Sequence, residues 1–179
     1  MKNGNFALVG LSGVGKSRLI SSIQNDMEFQ ALSASNLIKA EKEADTDHDD
    51  LKNHDIKDNQ RLLIDGFNRA KTNNNQDITV LDGHTVIETP NGLIEISSNV
   101  FKEIDIKHFI FLVEDPEIIL ERRIKDSSRK RSVTSLTKLV EYQRRALEVT
   151  TEIALELRTP VTVITSDNVL TLRRILSGN

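Results

Sequence analysis

The stretch "NFALVGLSGVGKSRL", Asn5 to Leu19, constrains the fold more than any other part of the chain. An apolar, strand-like run ends in a glycine-rich turn, and the turn opens into a helical pattern. Gly10-Leu11-Ser12-Gly13-Val14-Gly15-Lys16-Ser17 fits the spacing G-x-x-x-x-G-K-[ST], in the strand-to-helix setting that gives such a match its meaning. Backbone N–H groups surround a polyphosphate only if the chain curls closely round it; glycines permit the dihedrals and leave room for the oxygens. The backbone of Gly10, Ser12, Gly13, Val14 and Gly15, followed by Arg18 on the first helical turn, is therefore expected to hold the phosphates of ATP. Lys16 would supply a point charge to the β and γ phosphates, and Ser17 a hydroxyl to Mg²⁺. A glycine-rich turn that only links strand to helix is the plain alternative, and the complete motif argues against it.

Such a loop needs a parallel sheet behind it, and the rest of the chain offers one. Strand-like runs recur at Phe6–Val9, Phe29–Leu32, Ile78–Leu81, His108–Val113 and Val161–Thr165. Between them helical patterns cover Lys16–Asn25, Ser35–Ala44, Lys57–Lys71, Pro116–Lys125, Ser135–Arg158 and Asp167–Leu176. That alternation predicts an α/β fold built on a parallel five-stranded sheet flanked by helices. Thr85–Glu88 and Leu93–Ile96 alternate about Pro90-Asn91-Gly92 and read as a β-hairpin or flap. Asp45–Asp58 and Thr72–Asp77 read as loops.

The 179 residues suit one domain, 1–179, that buries roughly 70% of its unfolded surface. No apolar run is long enough to span a bilayer, so no membrane partner is expected. With a net charge of −3 and no dense basic block, nucleic acid is not expected as the main partner. The chain has no cysteine, which removes disulfides, thiolate metal sites and cysteine nucleophiles. No secretory or transit signal is legible, and a cytoplasmic location is the expectation.

Two further segments carry chemistry. In "DITVLDGH", Asp82 follows a buried-looking strand, where ligand sites of parallel sheets occur, and is expected beside the metal or the phosphates. A turn Asp before Gly83 is the alternative; His84 is a weaker candidate of the same turn. "LERRIKDSSRKRSVTS" packs Arg122, Arg123, Lys125, Arg129, Lys130 and Arg131 together. On a mobile segment, such charge can close over a transferring phosphoryl and exclude water; a solvated basic loop is the bland reading. On the long helix Arg144 flanks the apolar stripe and can reach a site, whereas Arg145 points to solvent.

Taken in order, "GLSGVGKS", "VLDGHTVIETPNG", "FIFLVEDPEIILERRIKDSSRKR" and "LVEYQRRA" resemble the archaeal-type adenylate kinases and other P-loop nucleoside monophosphate kinases. The resemblance runs from about Asn5 to about Ile164. It implies a P-loop NTPase fold with a small helical segment, about 33–72, for the nucleoside monophosphate (NMP), and a short lid, about 126–134. It implies transfer of the γ-phosphoryl of Mg·ATP to an NMP, with Arg123, Arg129 and Arg131 as a catalytic clamp beside Lys16, and Ser17 and Asp82 serving Mg²⁺. Ser35, Lys39, Lys52, Asp82, His84 and Arg144 are the candidate acceptor contacts.

The departures from the family lie on the acceptor side. Lys52, in "DDLKN", stands where an arginine is usual, "LIEISSN" replaces a Gly-Leu-Pro-like stretch, and Ala146-Leu147 replaces an Asn-Arg pair. The sequence therefore leaves AMP open as the acceptor. Two other readings stay open beside it: a small-molecule kinase with a hydroxyl acceptor oriented by Asp82, and a nucleotide-dependent switch or slow ATPase acting on a protein partner. Relatives form oligomers, so a homo-oligomer is also open.

Overall fold

Five strand-like runs of the sequence find their neighbours by lying parallel to one another, so that all five end on one edge. The computed structural model describes residues 4–44, 56–74, 76–126 and 134–178. Strands β1 (Gly4–Val9), β2 (Gln30–Ser33), β3 (Ile78–Asp82), β6 (Ile106–Leu112) and β7 (Val161–Ile164) form one sheet in the order β2-β3-β1-β6-β7. All of its pairings are parallel. The fold is thus the expected α/β arrangement, with the helices α1 (Lys16–Gln24), α2 (Ala34–Ala44), α3 (Ile56–Thr72), α4 (Ser98–Glu103), α5 (Pro116–Lys125), α6 (Leu136–Leu157) and α7 (Val169–Ser177) between and around the strands.

The central strands are buried on both faces, as parallel strands covered by helices must be. Ala7, Leu8 and Val9 of β1 and Phe109 to Leu112 of β6 are fully buried. α1 turns Leu19, Ile20 and Ile23 inward, and α6 buries Leu139, Ala146, Val149, Ile153 and Ala154 at helical spacing. α6 begins where the sequence offered a cap: the Ser135 hydroxyl accepts the Lys138 N–H. It ends at Arg158, left-handed at φ 54°, just before Pro160. Asp115 caps α5, its carboxylate accepting the Glu117 N–H at 2.8 Å, with Pro116 at the first helical position. Among the described residues no helix is long and apolar enough to cross a membrane.

The predicted hairpin is present as β4 (Val86–Thr89) and β5 (Gly92–Glu95), paired antiparallel from Val86↔Glu95 to Thr89↔Gly92. A small polar core fixes its base. Thr85 Oγ1 lies 2.9 Å from Thr150 Oγ1 and donates to the Ala146 carbonyl, tying the residue before the hairpin to α6. The sequence reading missed α4. Its six residues are too few to show a period, and only Val100 and Phe101 are buried; the Ser97 hydroxyl caps it by accepting the Asn99 N–H.

Candidate active site

The Gly10–Ser17 loop crosses the carboxyl edge of the sheet between β1 and α1, and its backbone is left-handed at Gly10 (φ 149°), Gly13 (φ 86°) and Gly15 (φ 108°). A Cβ on Gly10 would sit 2.6 Å from the Leu112 carbonyl oxygen, so both the conformation and the space call for glycine there. Lys16 is buried. Its Nζ donates to the carbonyls of Gly10 (3.1 Å) and Leu11 (3.2 Å) and lies 3.8 Å from Asp82 Oδ1. Ser17 Oγ donates to Asp82 Oδ2 at 2.9 Å. The strand-end aspartate, the last residue of β3, therefore faces the loop.

Other side chains grip the loop from behind. The Gly10 carbonyl lies 2.7 Å from His84 Nδ1, the Ser12 carbonyl accepts from Arg123 Nε and Nη2 (2.9 and 2.7 Å), and the Val14 carbonyl accepts from Arg122 Nη1 at 2.8 Å. The C=O and N–H of a trans peptide point in opposite directions. Holding the Ser12 and Val14 carbonyls back therefore turns the N–H groups of Gly13 and Gly15 the other way, and both glycines line the pocket over the loop. This is the polarity an anion cradle needs.

Each of the two arginines has its own carboxylate. Arg122 Nη2 donates to Glu114 Oε2 at 2.9 Å, and Arg123 spans Glu88 of β4 with contacts of 2.5 and 2.8 Å. Glu114 is held in turn by Gln143 of α6, whose amide accepts the Glu114 N–H (3.2 Å) and donates to the Glu114 carbonyl (3.0 Å), and by the Ser166 hydroxyl.

Arg123 was expected to clamp the transferring phosphoryl. The structure puts it behind the loop, its side chain only 6% exposed and its N–H groups committed to Ser12 and Glu88, so here it braces the loop. Lys39 and Arg144, offered as acceptor contacts, are exposed and pair along their own helices with Glu43 and Glu148; neither lines the pockets described below. Arg145, expected to be solvated, instead reaches Glu95, Glu148 and Glu152 and ties β5 to α6. Those carboxylates, Glu95 first, hold its guanidinium protonated even more firmly than usual. Lys52, Arg129 and Arg131 lie outside the described residues.

Two pockets adjoin at Ala34, Ser35 and His84, beside the loop. One, of about 330 Å³, lies over Gly13, Gly15, Lys16 and Ser17 and is closed by Arg18, Asp82, His84 and Asp126. The other, of about 170 Å³, is walled mainly by Ile38, Leu63, Leu81, Ile87, Ile96 and Phe101, with Asn59 and Gln60 also lining it. Ala34, Ser35 and His84 belong to both. A third, of about 450 Å³, opens on the other side of the loop between Arg18, Ile118, Arg122, Asp167 and Val169. Another, of about 720 Å³, lies between α2 and α3 and contains no loop residue.

The donor set suits a hard divalent cation. Ser17 Oγ and Asp82 Oδ2 are adjacent oxygens at the phosphate pocket, and the described residues hold no group of three or more metal-binding side chains. Mg²⁺ is commonly bound this way, through one or two protein oxygens with water and phosphate completing its shell.

Comparison with known proteins agrees with this geometry. The AAA domain profile matches residues 9–140, which include the loop, Asp82, the hairpin and both bracing arginines. The chain belongs to the AAA domain family. It is similar to the adenylate kinase of Thermoplasma acidophilum, 27% identical over 140 residues that make up 76% of this chain and 75% of that one. The adenylate kinase of Sulfurisphaera tokodaii is 26% identical over 137 residues, 70% of this chain and 71% of that one. Among solved structures, a gluconokinase from Sinorhizobium meliloti 1021 superposes with a TM-score of 0.53 at 15% identity, covering 99% of this chain and 91% of its own. A shikimate kinase from Bacteroides thetaiotaomicron gives 0.56 at 12% identity, with 97% and 98% covered. At those identities the likeness is one of fold: the parallel five-stranded sheet flanked by helices, with the phosphate loop at its edge.

The residues that sequence reasoning missed are Glu88, Glu114 and Gln143, together with the bracing role of Arg122. Gln143 left one trace: it is a polar residue within the apolar stripe of α6.

Proposed function

We propose that this chain transfers the γ-phosphoryl group of Mg·ATP to a nucleoside monophosphate. The observation that carries the proposal is the shared wall. A polar pocket built on a phosphate loop and a smaller apolar pocket have Ala34, Ser35 and His84 in common. A donor phosphate in the first and the flat body of an acceptor in the second bring the reacting oxygens together at that wall, and proximity of this kind supplies much of such a reaction's acceleration.

In this reading the Gly13 and Gly15 N–H groups and Lys16 bind the donor phosphates, Lys16 exchanging its two loop carbonyls for phosphate oxygens. Ser17 and Asp82 hold Mg²⁺, which would neutralise charge on the β and γ phosphates. The third pocket, with Arg18 and Arg122 on its wall, takes the donor's base. α2 and α3 form the acceptor-binding segment, and residues 126–134, with Arg129 and Arg131, act as the lid. No strong general base is needed, because an acceptor phosphate is already an anion; positioning and charge neutralisation suffice.

The test is a coupled assay for diphosphate formation from Mg·ATP and AMP, GMP, CMP, UMP or their deoxy forms, with Lys16→Ala as control. Fast, acceptor-dependent turnover is expected with at least one monophosphate. Slow ADP release that ignores every acceptor would replace this reading with a switch or slow ATPase. Normal ATP binding with transfer only to polyols or hydroxy acids would replace it with a hydroxyl-acceptor kinase.

A further inference from the structure

β4 carries two consecutive residues with different neighbours. Ile87 lines the apolar pocket, and Glu88 meets Arg123. Successive strand residues face opposite ways, so one strand presents a wall to the pocket and a carboxylate to the arginine.

Arg123 is a bridge and not an end point. Its Nε and Nη2 donate to the Ser12 carbonyl at 2.9 and 2.7 Å, while Nη1 and Nη2 donate to the two oxygens of Glu88 at 2.8 and 2.5 Å. The N–H groups of a guanidinium form a rigid planar fork, so a shift of one partner turns the fork against the other. The Ser12 carbonyl belongs to the peptide whose N–H is that of Gly13, a residue of the phosphate pocket. A path from the apolar pocket to the phosphate pocket therefore runs Ile87, Glu88, Arg123, Ser12, Gly13, and each step is a covalent neighbour or a hydrogen bond.

The other ties of the hairpin do not follow this path. Thr85 is bonded to α6, and Glu95 of β5 to Arg145 of α6; neither lines either pocket. Arg122, the other brace of the loop, rests on Glu114, which Gln143 and Ser166 hold in place. Of these two braces, Arg123 is the one whose anchor borders the apolar pocket.

We infer that Glu88 is a positioning residue that couples the two pockets. A ligand packed on Ile87 holds β4, and through Glu88 and Arg123 it holds the Ser12 peptide with the Gly13 N–H turned to the donor phosphates. Acceptor and ATP therefore bind more tightly together than apart, and by linkage each raises the affinity of the other by the same factor. This rests on the acceptor reading of the apolar pocket given above, but not on transfer taking place.

The coupling is read with nucleotides that cannot react. Mg·adenylyl imidodiphosphate is titrated into the full chain by calorimetry, alone and with saturating AMP, GMP, CMP or UMP, and each monophosphate is titrated with and without the analogue. Wild type, Glu88→Gln, Arg123→Lys and Glu95→Gln are compared, with thermal melting measured on each. In the wild type at least one monophosphate should tighten analogue binding about fivefold or more, the lower end of couplings between sites, and the analogue should tighten that monophosphate equally. Glu88→Gln loses the charge and one of the two acceptor oxygens, and the ratio of affinities should fall to within about twofold of unity. Arg123→Lys keeps the ion pair, and with it the fold, but not the planar fork, and should lose the ratio too; it decides the matter should Glu88→Gln not fold. Glu95→Gln loosens the hairpin from α6 and should keep the ratio. A brace that only stabilised the fold would lower the melting temperature or the separate affinities and leave the ratio as it is in the wild type.

If a monophosphate is phosphorylated in the transfer assay but the wild-type ratio is unity, or survives in Glu88→Gln and Arg123→Lys, this inference fails and the transferase reading stands. An equal loss in Glu95→Gln would assign the coupling to the hairpin as a whole and overturn the role of Glu88. A ratio abolished by Glu88→Gln in a protein that phosphorylates no monophosphate would overturn the transferase reading and keep the inference. If no monophosphate binds, or all of them only compete with the analogue, the inference is overturned.

Discussion

The phosphate loop and the apolar pocket share a wall, yet they are made by opposite means. The loop is a backbone device: three left-handed glycines give it its course, and Lys16, His84, Arg122 and Arg123 hold four of its carbonyls. The pocket is a side-chain device, assembled from α2, α3, β3, the hairpin and α4. Changing one of its side chains leaves every backbone hydrogen bond of the sheet in place. The loop is therefore costly to alter and the apolar pocket cheap, so under the proposed function the acceptor can change while the phosphate motif stays whole.

Substitutions on the two sides should separate these kinds of construction. Lys16→Ala removes the one charged side chain of the loop and, on the proposed role of that charge, should lower the rate of transfer on the order of a thousandfold, as loss of a transition-state donor does elsewhere. A fall of less than tenfold in single-turnover measurements would contradict its role. Arg123→Ala leaves Glu88 uncompensated behind the loop, with side chains 6% and 21% exposed in the native pair. Breaking such a pair should cost about 3 kcal/mol, or roughly 6–12 °C in melting temperature for a domain of this size. Arg123→Ala combined with Glu88→Ala should recover part of that loss. A double variant as unstable as the sum of the two single ones would show that the pair is not coupled.

On the acceptor side, Ile87→Ala should raise the acceptor KM about tenfold, the scale of a few methylenes in an apolar pocket, and leave ATP binding unchanged. An equal loss of ATP affinity would mean that the pocket wall supports the loop and not the acceptor. Arg144→Ala is the smallest expected change. Its ion pair with Glu148 lies along one exposed helix face, so stability should move by less than about 0.5 kcal/mol and turnover by less than twofold. A large fall in turnover would restore it as an acceptor contact.

The donor side was legible in the sequence because it is local. Strand, loop and helix occupy consecutive residues, and the spacing of Gly10, Gly15 and Lys16 encodes the turn. Asp82 was legible for a related reason: in a parallel sheet the strand ends gather on one edge, so the last residue of β3 lands beside a loop after β1. What was hidden depends on partners far along the chain. Arg123 meets Ser12 across 111 positions, and nothing in "LERRIKD" says that it folds back behind the loop and not over it. Arg144 and Arg145 were ranked by their angle to the apolar stripe, but carboxylates decided the outcome. Glu95 on β5 draws Arg145 toward the hairpin and leaves Arg144 outside.

The central claim is that the two pockets hold both partners of one direct transfer at the same time. Initial rates measured with Mg·ATP and the preferred monophosphate varied together test it most directly. Double-reciprocal lines that intersect, with ADP formed only when acceptor is present, are the pattern for a ternary complex across the shared wall. Parallel lines would indicate a covalent phospho-enzyme in place of direct transfer, and an ADP release rate indifferent to any acceptor would contradict the account altogether.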